Sequence, residues 1–245
     1  MAKPLNPAAE RAAQLRLMDS VTDRLEPRIR SEIARTNRAI AATLGDTTKH
    51  AAIYADHRQR MELILRNMWM TTGTLIADRV LARLGVTASF SRGAFEERMS
   101  NWIRSEGATR VAMISTTTRD RINQSITRGI EEGLSLDQIA RSIRTTSAIE
   151  SAVRANVIAR TETHNAAGSS SQEAAKELGL TNLRKTWLAS IDGRERETHA
   201  EANGQEVGLN EVFVVGGFPM MYPGDTSAPA SETINCRCVA VYTAE

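Results

Sequence analysis

The side chains able to do chemistry crowd into the last third of the sequence. They are Arg160-Thr161-Glu162-Thr163-His164, then Asp192, Arg194, Arg196 and His199, and finally Cys236 and Cys238. On an extended strand, residues i and i+2 share a face, so the two thiols would point one way and Arg237 the other. Two thiolates and the His199 imidazole supply three of the four ligands of a tetrahedral zinc ion, with Asp192 or His164 as the fourth. The C-x-C spacing departs from the C-x2-C of zinc ribbons. In the competing reading the cysteines are small buried apolar side chains, His199 pairs with a carboxylate, and the cluster is a structural polar network. Arg160 and Glu162 stand two apart on a helix, so they cannot face each other and need separate partners. The charged loop at Asp192, Arg194 and Arg196 offers those partners, and such a network would pin loops that lack ladder hydrogen bonds.

Other catalytic templates fit poorly. The sequence contains no G-x-x-x-x-G-K-[ST] loop, no G-x-S-x-G elbow and no H-E-x-x-H helix. A Cys-His dyad has no recognisable flanking signature. The enzymatic alternative is a zinc-dependent hydrolase or nuclease in which His199, Cys236 and Cys238 hold the metal and Asp192 or Glu162 acts as general base.

The elements that must position these residues change character along the chain. Met18, Val21, Leu25, Ile29, Ile33, Ile40 and Leu44 recur at helical spacing, with Pro27 expected to kink or restart the helix. A second long helix carries Ile53, Met61, Ile64, Leu65, Met68, Thr72, Leu75, Ile76 and Val80, and Gly85 is its C-cap signal. Met61, Met68, Trp69 and Met70 are read as core rather than as a partner face. A connector over 86–92 precedes a helix over 93–104 and another carrying Val111, Ile114, Ile122, Ile126 and Ile130, which Gly133 stops. Ser135 with Gln138 and Ser147 with Glu150 form two capping boxes, predicting helices over 136–144 and 148–178. The second of these is rich in Ala and small polar residues around Gly168, which suits close packing. Beyond Leu180 the period becomes two: Leu183, Lys185, Trp187 and Ala189 alternate with Arg184, Thr186, Leu188 and Ser190, and Asp192-Gly193 supplies a turn. Residues 212–215 and 236–242 are further short apolar runs, separated by loops rich in Gly and Pro. The expected fold class is α+β, an elongated and mostly helical N-terminal region followed by a small loop-rich α+β domain.

Length and charge bound the rest. The 245 residues are 41% hydrophobic with a net charge of +2, a globular composition. Residues 1–150 carry 23 basic and 17 acidic side chains, a surplus of six, whereas 151–245 carry 8 and 12. That asymmetry permits non-specific DNA contact by the N-terminal part without demanding it. Two cysteines are too few for a disulfide framework. The start of the chain lacks an apolar signal core and no run is long enough to span a bilayer, so no membrane partner is expected and the chain should stay where it is made.

The ordered series Thr118-Arg119, Gly133-Leu134-Ser135, Ala159-Arg160-Thr161-Glu162-Thr163, Lys185-Thr186-Trp187, Asp192-Gly193-Arg194 with His199, Gly204, Phe213, Pro223-Gly224-Asp225 and Asn235-Cys236-Arg237-Cys238 resembles the phage Mu F-like head morphogenesis family of tailed bacteriophages. The resemblance covers about 108–242. It implies a Mu F-like domain over 108–245 and gives no support to residues 1–107, whose long patterned helices are read as a helical docking arm. It further implies a minor head protein, not an enzyme, located in the virion at the head interior or portal vertex and in the host cytoplasm during assembly. The implied partners are the portal protein and the scaffold or major capsid protein, and the implied role is procapsid assembly and DNA packaging or release. It carries over no catalytic residues. Arg160, Glu162, Trp187 and Arg194 are then structural motif positions, and His199, Cys236, Cys238 and Asp192 the metal candidates, with zinc the sole cofactor considered. No toxin or enzymatic module is expected after Glu245.

Overall fold

A computed structural model describes residues 6–85 and 90–244, the side chains of 146–150 excepted. Helices dominate the first three quarters: α1 (Pro7–Ala42), α2 (His50–Leu84), α3 (Arg92–Trp102), α4 (Ala108–Glu131) and α5 (Leu136–Glu177). A short 3-10 turn, Thr47–Lys49, precedes α2, and a π-helical turn, Ile103–Gly107, separates α3 from α4. The remainder holds β1 (Leu183–Leu188), α6 (Glu197–Glu201), β2 (Glu206–Gly208), β3 (Phe213–Val215), β4 (Phe218–Met220), α7 (Ala230–Thr233) and β5 (Val239–Ala244). The fold is α+β, with the strands confined to the C-terminal region.

Two expectations about helix boundaries need correction. Pro27 lies inside α1 and does not restart it. The break expected near 145 is also absent, because α5 runs unbroken for 42 residues. At that point the Thr145 hydroxyl bonds back to the Arg141 carbonyl at 2.9 Å, as a mid-helix threonine does. The second capping box, Ser147 with Glu150, falls on side chains outside those described. Residues 86–89 of the expected connector also lie outside the described residues.

The first capping box forms as read. The Ser135 amide donates to Gln138 Oε1 at 2.8 Å and the Gln138 amide to Ser135 Oγ at 3.3 Å. Just before it, Gly133 takes φ +69 and closes α4, with the Leu134 amide donating back to the Gly129 carbonyl at 2.9 Å.

Packing divides the chain into two units that interleave in sequence: Met1–Thr22, Met68–Trp102 and Arg160–Glu245 form one, Asp23–Asn67 and Ile103–Ala159 the other. This division does not follow the linear one at 107/108, because α1, α2 and α5 each contribute residues to both units.

The second unit is helical. Its core gathers Ile40, Ala41, Ile122, Ile139, Ala140 and Ile143, with Ile53 and Leu134 packed against it. There α1 and α2 run antiparallel, linked by Glu32 to His57 and by Arg35 to Asp56. The first unit contains both sheets. The three-stranded sheet has the order β2-β1-β5 and is antiparallel throughout, while β3 and β4 form a separate hairpin. As the period-two pattern predicts, Leu183, Lys185 and Trp187 are buried on one face of β1, with Ala189 just beyond it, and Leu183, Trp187 and Ala189 join Phe95, Met99, Phe213 and Tyr242 in the larger core. The opposite face presents Leu188, Val239 and Val241 to Met18, Ile76 and Ala167. Met61, Met68 and Trp69 are buried, as read.

The small residues of α5 serve the first unit. A side chain at Gly168 would meet the Pro223 carbonyl at 2.4 Å and the Tyr222 ring at 2.6 Å, so the missing Cβ lets the loop over 222–225 lie directly on the helix. Asp225 fixes that loop by accepting from the Met221 amide at 2.7 Å and the Ser227 amide at 3.0 Å.

Candidate metal centre

Sheet register brings the distant chemical residues to one place. Leu188 at the end of β1 pairs with Val239 at the start of β5, so the residues just before β5 and just after β1 meet at the same end of the sheet. From β1 the chain turns through Asp192-Gly193 and returns along α6, which sets His199 edge-on against Trp187 with ring centroids 5.6 Å apart. Phe213 also packs edge-on against Trp187, with ring centroids 5.4 Å apart. Trp187 is thus the wall that orients the imidazole.

The cysteines stand before β5 and not on it, since the strand begins at Val239 and Asn235, at φ 57, turns the chain into the segment. The face-sharing argument for a strand therefore does not apply, yet both thiols reach the same nitrogen. His199 Nδ1 lies 3.3 Å from Cys238 Sγ and 3.8 Å from Cys236 Sγ, and the three atoms fall within 4.8 Å of one another. All three residues are buried, and both cysteines are free thiols. On the far side of the ring, His199 Nε2 is 3.1 Å from Glu232 Oε2, which also accepts from Thr198 Oγ1 at 2.9 Å. A hydrogen bond from Cys236, reinforced by His199, lowers the Cys238 pKa, while the same bond and burial push Cys236 up.

Asp192 and His164, read as alternative fourth ligands, take other places. Asp192 is exposed and accepts from Arg194 at 2.9 Å and Arg237 at 2.6 Å, bonds that hold its carboxyl below the usual range. His164 is fully buried in α5, where burial, with Arg160 and Arg237 adding like charge, depresses its pKa to about 3 and keeps the ring neutral. Among the described residues no other Cys, His, Asp or Glu joins the three converging ligand atoms.

Beside the cluster lies a cleft of about 210 Å³, bordered by Arg160, Asp192, Arg194, Arg196, His199, Arg237 and Cys238. Of Arg160 and Glu162, only Arg160 borders this cleft together with Asp192, Arg194 and Arg196 of the loop after β1. Glu162 is buried and does not line the cleft. Thr161, between them, makes the tie to the C-terminal segment by accepting from the Asn235 amide at 3.1 Å. Arg196 donates to the Ile234 carbonyl at 2.5 Å and fastens the same segment.

The sequence alone did not single out Glu232 or Thr198, nor the roles of Thr161 and Lys185. Lys185 Nζ is buried, donating to the Met221 carbonyl at 2.8 Å and Gln172 Oε1 at 3.3 Å, and lies 5.2 Å over the Phe213 ring. Burial lowers its pKa to about 8. The available signal was a lysine standing on the apolar face of β1, which demands buried partners.

Residues 120–241 match the model of the "Phage Mu protein F like protein" family. Three curated relatives align. NAD(+)--arginine ADP-ribosyltransferase EFV of Enterococcus faecalis (strain ATCC 700802 / V583) is 39% identical over 132 residues, covering 50% of this chain and 26% of the relative. Minor head protein GP7 of Bacillus phage SPP1 is 30% identical over 132 residues, covering 50% of this chain and 40% of the relative. The uncharacterized protein YqbB of Bacillus subtilis (strain 168) is 27% identical over 146 residues, covering 58% and 47%. The chain thus spans less than half the length of each. No solved structure matches.

Proposed function

Residues 120–241 make this chain a member of the Phage Mu protein F like family, and on that premise we propose that it is a minor head protein of a tailed bacteriophage or prophage, associating with the portal and assisting procapsid assembly and DNA packaging or release. The observation that carries this reading is the family match together with the alignment to a phage minor head protein. The role is one of interaction, placed in the virion at the head interior or portal vertex. Leu63, Met113, Ile130, Leu136 and Val153 are exposed apolar side chains on the helical unit and are the positions at which such contact is probed.

The interleaved packing dictates how docking is tested. Deleting 1–107 would strip Met18, Ile76, Ala77, Phe95 and Met99 from the cores around the sheet, so point substitutions in the full chain are the right probes. Co-expressed with the portal protein of its own genome, the full chain should co-purify with it. Leu63→Glu, in the region expected to dock, should weaken that retention while leaving the circular dichroism spectrum unchanged. Failure of the unsubstituted chain to co-purify would remove the portal assignment.

An enzymatic reading as a zinc-dependent hydrolase or nuclease has less support. Of its candidate bases, Asp192 is engaged by two arginines and Glu162 is buried away from the cleft.

A further inference from the structure

We propose that His199 Nδ1 and the thiolates of Cys236 and Cys238 bind one zinc ion, which ties α6 to the segment leading into β5. The inference does not rest on the head-assembly role and would stand if that role failed. Its first support is distance. Ligands at tetrahedral zinc, with Zn–S near 2.3 Å and Zn–N near 2.0 Å, place nitrogen and sulfur roughly 3.5 Å apart. The two nitrogen–sulfur separations, 3.3 and 3.8 Å, straddle that value.

The second support is the far side of the imidazole. Glu232 Oε2 at 3.1 Å from Nε2 is placed to accept a hydrogen bond from that nitrogen, in the tautomer that leaves Nδ1 free to ligate a metal beside the thiols. A carboxylate behind a ligating histidine is the usual means of fixing its tautomer and raising its basicity. Thr198, donating to the same Oε2, fixes the carboxylate in turn.

The third support is charge. Two buried sulfur atoms lie within 4.8 Å of each other and of the ring nitrogen, and three of the four arginines around the cleft are engaged elsewhere: Arg194 and Arg237 with Asp192, Arg196 with the Ile234 carbonyl. A thiophilic dication binds such a pair once both thiol protons leave to solvent, and two sulfurs with an imidazole select zinc over harder metals. His199 and Cys238 border the cleft, so a fourth ligand from solvent would have access to the ion.

Full-length protein, purified from zinc-supplemented cells without chelator, should carry about one zinc per chain by elemental analysis. Exchange for Co2+ should give the visible bands of four-coordinate cobalt and near-ultraviolet thiolate charge transfer. Glu232→Gln should lower zinc affinity about 10–100-fold in competition with a chromophoric chelator, and Cys238→Ser should abolish the charge-transfer bands or reduce them strongly. Asp192→Asn should retain the metal in full. Should the cysteine variant fail to fold, the cobalt spectrum of the unsubstituted chain still decides. Metal-free protein whose thiols react with a disulfide reagent at a rate unchanged by added zinc would overturn the proposal. So would loss of zinc from Asp192→Asn with retention in Cys238→Ser.

Discussion

Glu32 is buried in the helical unit against His57 and Arg35, with His57 Nδ1 at 3.1 Å and Arg35 at 2.8 Å. Burial raises its pKa, but the hydrogen bonds from His57 and Arg35 outweigh it and hold the carboxyl at about 2. A carboxyl whose folded pKa lies below its unfolded value near 4.3 contributes stability that is complete above that value and is lost as pH falls toward 2. Glu32→Ala should therefore lower stability by about 1–3 kcal/mol at pH 7, and the difference from the unsubstituted chain should shrink between pH 4.5 and 2. Urea melts followed by circular dichroism at several pH values measure both. At the same scale, the chemical residues of the candidate centre were legible because Cys and His are rare and were concentrated in the sequence. Glu232 was not, since one acidic residue among many carries no signal until the fold sets it behind His199. Asp192 was misleading for the converse reason: its place beside Gly193 and Arg194 suits a turn and an ion pair as well as a ligand.

The loop over 222–225 rests on α5 only because position 168 has no side chain. Gly168→Ala would gain helix propensity of about 1 kcal/mol, but the new methyl meets a backbone carbonyl that cannot rotate away, and overpacking of this kind costs about 1–3 kcal/mol. The net change should be a loss, seen as a lower urea midpoint and faster proteolysis in the loop. Ser135→Ala should cost about 1 kcal/mol by removing one arm of the capping box. Elements that depend on neighbours along the chain were readable: the period of β1, the Ser135 cap and the stop at Gly133 all stand as the residues imply. The continuity of α5 was not, because Ser147 with Glu150 has the spacing of a helix start. Burial of Ile139 and Ile143 before that point and of Ser151 and Ala155 after it keeps the helix unbroken. The same limit hid the strand boundary at Val239, which leaves the cysteines in the irregular segment before the strand.

Linear order and packing part company at the scale of the whole molecule. The contrast between a helical beginning and a stranded end is plain in the periodicity, yet the packed units interleave because three long helices each serve both. No local signal encodes that, since it arises from contacts between residues tens to hundreds of positions apart, as when Met18, Ile76 and Ala167 meet Val241. The basic surplus of residues 1–150 is a property of the same scale. If it contacts DNA through phosphates, retention on DNA should fall steeply between about 50 and 200 mM salt, and salt-independent retention would contradict that contact. The central claim is that this member of the Mu F-like family is built into phage heads. Quantitative mass spectrometry of purified, DNA-filled heads from the genome that encodes the chain tests it most directly. The chain should be present at a few copies per particle, far below the major capsid protein. Its absence from those heads, with abundant protein in the lysate that produced them, would contradict the account.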